Sequence, residues 1–249
     1  MSWLEEKEKY AQEIVTLLYR NRMIRTFYRD RPEGWTLISG IYSPLYIQLR
    51  PLVSHPSVFK TVCRAMVKMI EEEASEVSRV IGIAMAGVPL AAGMSVVGGI
   101  PGGFTRKIEG VKTVEAFRQT IESYGEHSLM EGELDSGDSI AVVDDLVTRF
   151  DSKRIAVEQV AFEVRKRGLS NVDCRTVAVA LDREQGGQQA AEESGLKLLS
   201  VVPFKTMGLP LLKGTMDHKE WQVLTDYLAD PDRFQDKQVQ AEIRAMAGR

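Results

Sequence analysis

Ser139-Ile140-Ala141-Val142-Val143-Asp144-Asp145-Leu146-Val147-Thr148-Arg149-Phe150-Asp151-Ser152 is the stretch on which the reading of this chain turns. It opens with a β-branched apolar run, the mark of a buried strand. Two adjacent carboxylates follow, then a short polar loop, and from Ser152 onward a helical pattern. Open α/β sheets bind ligands at the carboxyl ends of their strands. The helix N-terminus just beyond offers N–H groups to an anion. Carboxylates accept hydrogen bonds from vicinal hydroxyls, so two acids beside an anion cradle suit a sugar phosphate. The plainer alternative is an acidic strand end running into an N-capped helix.

A second strand–turn–helix precedes this one. Val80-Ile81-Gly82-Ile83 reads as a buried strand and Ala84-Met85-Ala86-Gly87-Val88-Pro89 as a small-residue turn. Leu90-Ala91-Ala92-Gly93-Met94 opens a helix. Small residues let backbone N–H groups approach a diphosphate closely; a tight turn without a ligand would look the same. Downstream, Ile155, Val157, Val160, Ala161 and Val164 predict a helix ending at Gly168. Strands are expected at 177–181, ending on Asp182-Arg183, and at 196–202.

Upstream, Tyr10, Ile14, Leu17 and Leu18 share one face of a helix expected over 4–23. The arginine- and aromatic-rich stretch 24–31 reads as a loop, and 35–38 and 45–49 as two strands of a small hood. His55-Pro56-Ser57 starts a helix whose apolar face carries Val58, Val62, Met66 and Met69. Val114, Phe117 and Ile121 share a face within a long loop, 108–138. Trp221, Leu224, Tyr227 and Leu228 predict a packed C-terminal helix, and the polar tail from Gln235 is expected to fray. The expected fold class is α/β: a twisted, mostly parallel sheet flanked by helices, with a small N-terminal hood. Residues 1–55 form the N-terminal helix and hood, 56–234 the core and 235–249 a charged tail.

Composition excludes several classes. The 249 residues are 44% apolar and 27% charged, ordinary for a globular protein with a sizeable core. A net charge of −3 provides no global basic field, so nucleic acid is an unlikely partner. No apolar run is long enough to span a bilayer, and the charged start is unlike a signal peptide, so a cytoplasmic protein without membrane partners is expected. Cys63 and Cys174 lie far apart in apolar segments and read as free thiols. Metal-ligand spacing is absent, and the three histidines are scattered.

Val142-Val143-Asp144-Asp145-Leu146-Val147-Thr148 resembles the 5-phosphoribosyl-1-pyrophosphate (PRPP) motif of the type I phosphoribosyltransferases. Four more stretches, in the family's order, narrow the resemblance to the orotate phosphoribosyltransferases. They are Ser39-Gly40-Ile41-Tyr42-Ser43-Pro44-Leu45-Tyr46-Ile47, Ala86-Gly87-Val88-Pro89-Leu90-Ala91, Arg106-Lys107 and Asp182-Arg183-Glu184-Gln185-Gly186-Gly187. The resemblance implies the type I phosphoribosyltransferase fold, a homodimer, Mg2+, and transfer of ribose 5-phosphate from PRPP to a pyrimidine base, orotate, in pyrimidine nucleotide synthesis. By the same resemblance Asp144 and Asp145 hold the ribose. Ala86 and Gly87 belong to the pyrophosphate loop, and Arg106 and Lys107 contact the diphosphate across a dimer interface. Thr148, Arg149 and Ser152 line the phosphate cradle, and Tyr42 lies in the substrate-binding hood. Arg183 pairs with the orotate carboxylate, which a planar guanidinium matches bidentately; a salt bridge to Asp182 or Glu184 is the alternative.

Three positions depart from the family pattern. The cradle, typically Thr-Thr-Gly-Gly-Ser, reads Thr148-Arg149-Phe150-Asp151-Ser152. A carboxylate ~4 Å from a phosphate, at an effective dielectric of ~20, costs roughly 4 kcal/mol per unit charge. Arg149, Lys153 and Arg154 would offset it by turning inward; alternatively Asp151 caps the helix and takes the anion's place. Ile38 stands where the family has a lysine. The catalytic loop lysine is displaced: counting back from Tyr124-Gly125 finds Glu122, counting forward from Arg106 finds Gly110, and Lys112 is the nearest replacement. Two readings stay open, an orotate-type transferase and a non-catalytic paralogue that binds a nucleotide, PRPP or a protein partner for regulation.

Overall fold

The structure is a computed structural model, and it describes residues 2–37, 39–121, 127–148 and 150–247. Ile38, Glu122, Tyr124-Gly125 and Arg149 lie outside the described residues. By contacts the chain forms two units, Phe59–Val201 and the pair of segments Met1–Val58 and Val202–Arg249. The stretch expected as one core, 56–234, is therefore divided, and 202–234 groups with the N-terminal segment.

In the discontinuous unit, α1 (Trp3–Arg20) starts at a capping box in which Ser2 and Glu5 each accept the other's backbone N–H. It buries Ala11, Ile14, Val15 and Leu18. The stretch expected as a loop contributes a short strand, β1 (Ile24–Thr26). It pairs antiparallel with β4 (Leu45–Ile47), while β2 (Trp35–Thr36) pairs antiparallel with β3 (Tyr42–Ser43). The two expected hood strands thus take separate partners. Three residues, with half-buried Arg25 in the middle, are too few to show an alternating pattern.

In the continuous unit, α2 (Pro56–Glu73) carries Pro at its first position, where the missing N–H costs nothing. There follow β5 (Arg79–Gly82), α3 (Gly87–Gly98), β6 (Gly102–Thr105), α4 (Val114–Ile121), β7 (Met130–Glu131) and β8 (Ser139–Val147). Next come α5 (Asp151–Lys166), β9 (Asp173–Asp182), α6 (Gly187–Glu193) and β10 (Lys197–Pro203). Among the described residues, six strands form one sheet in the order β10-β9-β8-β5-β6-β7. The pairs β5–β6, β5–β8 and β8–β9 are parallel, and β6–β7 is antiparallel. This is the twisted, mostly parallel α/β sheet expected. Its core includes Ile81, Ile83, Val142, Val147, Val177, Val179 and Ala156. Each fully buried aliphatic side chain there contributes about 1.5–3 kcal/mol.

The second segment of the discontinuous unit continues through a π turn (Phe204–Gly208), α7 (Leu209–Leu211), α8 (His218–Ala229) and α9 (Lys237–Met246). The tail expected to fray is helical over α9. Asp236 caps it by accepting from the N–H groups of Gln238 and Val239, and Ile243 is buried. Just before it, Phe234 packs edge-on against Tyr227, with ring centroids 5.4 Å apart.

Candidate active site

The sheet order reverses between β5 and β8. From β5 the chain passes to β6 on one side, and from β8 to β9 on the other. Crevices at such a reversal, outside the carboxyl ends of the strands, are where open α/β sheets hold ligands. Both stretches singled out as phosphate loops end there, one after β5 and one after β8.

Asp144 and Asp145 lie inside β8 rather than beyond it. The strand continues to Val147 because β9 runs alongside as far as Asp182, with Asp144 opposite Val179 and Val147 opposite Asp182. Asp144 is 8% exposed, a depth at which an unpaired charge is costly. Lys153, 4% exposed, supplies the partner: its Nζ lies 2.9 Å from Asp144 Oδ2 and donates to the Leu146 carbonyl at 2.8 Å. The Asp145 N–H donates to Asp144 Oδ1 at 2.9 Å, so both Asp144 oxygens are engaged. Asp145 Oδ1 accepts from the Leu146 N–H at 2.7 Å. Burial, reinforced by the neighbouring Asp144 charge and opposed by Lys153, pushes the Asp145 carboxyl up to about 7. Asp182, at the end of β9, is also raised, chiefly by burial.

The loop between β8 and α5 resolves one of the departures. Phe150, 2% exposed, points into the sheet core beside Val147, Ala156 and Val160. Its bulk therefore fills the interior and not the ligand side. Asp151 does not cap the helix: the cap position is Phe150, and no side chain bonds the first turn there. The Asp151 carboxylate instead lies 3.4 Å from Arg154 Nη2. Thr148 is half-buried, and Ser152 is exposed with its hydroxyl accepting from Lys153 Nζ at 3.3 Å.

Across the reversal, the Ala84 N–H donates to the buried Thr105 hydroxyl at 3.1 Å, tying the turn after β5 to the end of β6. Gly87 is glycine for packing: a Cβ would run into the carbonyl of Val143 on β8. Its N–H is committed to the Ile83 carbonyl at 2.8 Å. Ala86, half-buried, occupies the cap position of α3.

Arg106 and Lys107 are exposed at the end of β6, with Arg106 Nε donating to Glu131 Oε1 at 2.6 Å. Lys112 is exposed just before α4. Arg183 is buried at the end of β9, and its N–H donates to the Val147 carbonyl at 3.1 Å. Tyr42 belongs to the discontinuous unit, where it packs on Gly34 and its backbone exchanges two hydrogen bonds with the Gln235 side chain. The structure thus gathers Asp144, Asp145 and Ser152 around Lys153, and sets Thr148 just beyond β8 and Arg183 at the neighbouring strand end. Sequence reasoning assigned Lys153 no contact with the acid pair and passed over Thr105. The usable signal for Lys153 was its place in the first turn after two adjacent acids.

Among the described residues, no group of three or more histidines, cysteines, aspartates or glutamates could hold a metal ion. With Lys153 on Asp144, the acid pair offers few anionic donors to a divalent ion.

No protein-family model matches the chain. It is 31% identical to the orotate phosphoribosyltransferase of Sulfolobus acidocaldarius over 196 residues, 78% of this chain and 88% of that relative. It is 30% identical over 174 residues to the uridine 5'-monophosphate synthase of Bos taurus, covering 70% of this chain and 32% of that protein. The chain spans about a third of the length of the uridine 5'-monophosphate synthases it matches. Among solved structures, it superposes on Leishmania donovani UMP synthase with a TM-score of 0.68 at 23% identity, over 88% of this chain and 42% of that one. It superposes on the Aeropyrum pernix orotate phosphoribosyltransferase with a TM-score of 0.62 at 24% identity, over 81% and 97% of the two chains. Acid pair, paired loops, sheet order and sequence identity agree, and the chain belongs to the orotate phosphoribosyltransferase family.

Proposed function

We propose that this protein transfers ribose 5-phosphate from PRPP to a pyrimidine base, orotate, and releases pyrophosphate. The observation that carries the reading is the acid pair at the end of β8, set at the sheet reversal and followed directly by the N-terminus of α5. In the transfer, the C1–O bond to pyrophosphate breaks and its electron pair leaves on the diphosphate. The base nitrogen supplies the pair for the new C1–N bond and loses its proton to solvent. The acid pair supplies the acceptor for the ribose hydroxyls and negative charge beside the positive charge that grows on the sugar. Thr148, Arg149, Ser152 and the first turn of α5 receive the 5-phosphate. Ala86 and Gly87 line the diphosphate side, Arg183 takes the orotate carboxylate, and Tyr42 shapes the base pocket.

Arg106 and Lys107 serve the departing pyrophosphate from a second copy of the chain, in a homodimer, and Lys112 takes the part of the loop lysine. Magnesium enters with PRPP and gathers the diphosphate charge. The free thiols of Cys63 and Cys174 suit a reducing compartment, and we place the protein in the cytoplasm. Among the described residues, no helix is long and apolar enough to cross a membrane.

A second reading, a paralogue that binds PRPP or a nucleotide without turnover, is favoured by one observation: Lys153 already occupies Asp144. Following orotate absorbance with PRPP and Mg2+, beside a calorimetric titration of PRPP, separates the two. Loss of absorbance is the expected outcome. Binding without loss supports the paralogue, and neither signal overturns both.

A further inference from the structure

Lys153 is the most deeply engaged cation at the site, yet the chemistry above does not use it. Its ammonium reaches Asp144 at 2.9 Å and the Leu146 carbonyl at 2.8 Å, both on β8, and Ser152 at 3.3 Å on its own helix. It therefore ties the end of β8 to the first turn of α5. The acids facing it come from two strands, Asp144 and Asp145 from β8 and Asp182 from β9, and Glu184 just beyond β9 acts on Asp182 in turn. On α5 itself, Asp151 is paired with Arg154. A buried ammonium is retained only where its partners repay desolvation. Here the pairing engages both Asp144 oxygens, one of them by the buried ammonium, whereas Asp145, among the described residues, receives only the Leu146 N–H and the neighbouring Asp144 carboxyl.

We propose that Lys153 is a positioning residue: it locks Asp144 as an internal counter-ion and ties the end of β8 to the first turn of α5, so that Asp145 is the carboxylate presented to the ribose hydroxyls. The inference deepens the phosphoribosyl reading and rests on it. It divides the labour of two neighbouring acids, one structural and one facing the ligand. Lys153 also keeps Asp145 ionised at lower pH than its burial and neighbour would otherwise allow.

The test is calorimetric titration of the full chain with PRPP and Mg2+ from pH 6 to 8.5, comparing the unmodified protein with Lys153→Met. Lys153→Met is expected to weaken PRPP at pH 7 by about tenfold or more, the scale of a lost charge-assisted contact. The acid limb of its binding profile moves to higher pH, so the deficit narrows as pH rises. Both proteins meet the same ligand, so titration of the PRPP phosphates cancels in the comparison. Should Lys153→Met fail to fold, Lys153→Gln keeps a donor for Asp144 without the charge and carries the same expectation. Equal affinity in variant and unmodified protein, or a deficit identical at every pH, overturns the proposal. Failure of the unmodified chain to bind PRPP overturns the phosphoribosyl reading itself and is seen in the first titration.

Discussion

At the scale of single residues, Asp145 ties stability to pH. Its folded-state value of about 7 lies above the ~3.9 of an unfolded aspartate. The folded protein therefore holds a proton that the unfolded chain has lost. That contribution is complete below pH ~4 and disappears as pH rises through about 7, falling by about 1.4 kcal/mol for each pH unit crossed between the two values. Asp145→Asn removes the titration, so urea denaturation across pH 4 to 8 should show the variant gaining on the unmodified chain as pH increases. A constant difference would contradict the raised value. Phe150 makes a separate prediction. Phe150→Ala opens a cavity in the sheet core and should destabilise by about 3–5 kcal/mol, read from the denaturation midpoint. Both residues show where sequence stopped. The acid pair was legible because two adjacent carboxylates after an apolar run are conspicuous. The direction of Phe150 was not, because a loop aromatic carries no mark of which side of the chain it will pack on.

Among elements, α5 does more than follow the acid loop. One flank of it, with Gln159 and Glu163 buried, holds both stems of the 108–138 loop. Gln159 Nε2 donates to the Arg106 carbonyl at 2.8 Å, and buried Glu163 accepts from the Leu129 N–H at 2.6 Å. Lys166 donates to the His127 carbonyl, Arg167 to the Gly132 carbonyl, and Arg118 of α4 to Glu158. Phe117 buries the apolar side of α4. Glu163→Ala strands the buried Leu129 N–H and removes one of the two described partners of the Arg167 side chain, and should cost roughly 1–3 kcal/mol. Limited proteolysis should then cut within 108–138 faster than in the unmodified chain; an unchanged rate would mean that the loop is held by other contacts. The helical faces of α4 and α5 were readable from apolar spacing. The clamp was not, because its polar partners lie up to 53 residues apart in sequence and most of them bond to main-chain atoms.

On the scale of the whole molecule, the sheet class followed from motifs that alternate strand and helix, whereas the strand order was read only from the structure. The division into units did not, since the partner of the first 58 residues begins only at residue 202. Glu220 of α8, 1% exposed, accepts from Tyr19 at 2.6 Å and from Thr26, joining the two segments of the discontinuous unit. Arg29 adds a stack on the Tyr19 ring at 3.7 Å and bonds to the carbonyls of Tyr19 and Ile24. Glu220→Ala leaves two buried hydroxyls without their acceptor, and hydrogen exchange along α1 should accelerate while that of β8 does not. Uniform acceleration through both units would show that they open together.

The same division sets an order of events on the ribosome. The continuous unit is complete once its last strand has emerged, whereas α1 must await the π turn and α7 that pack on it, synthesised roughly 190 residues later. At about 5–20 residues per second that interval is on the order of ten seconds or more. During it, the apolar side of α1 formed by Ala11, Ile14, Val15 and Leu18 lacks its final cover. A nascent chain of this protein therefore exposes a greasy α1 until the segment from residue 202 onward is made, which is the interval in which chaperone capture or aggregation would act.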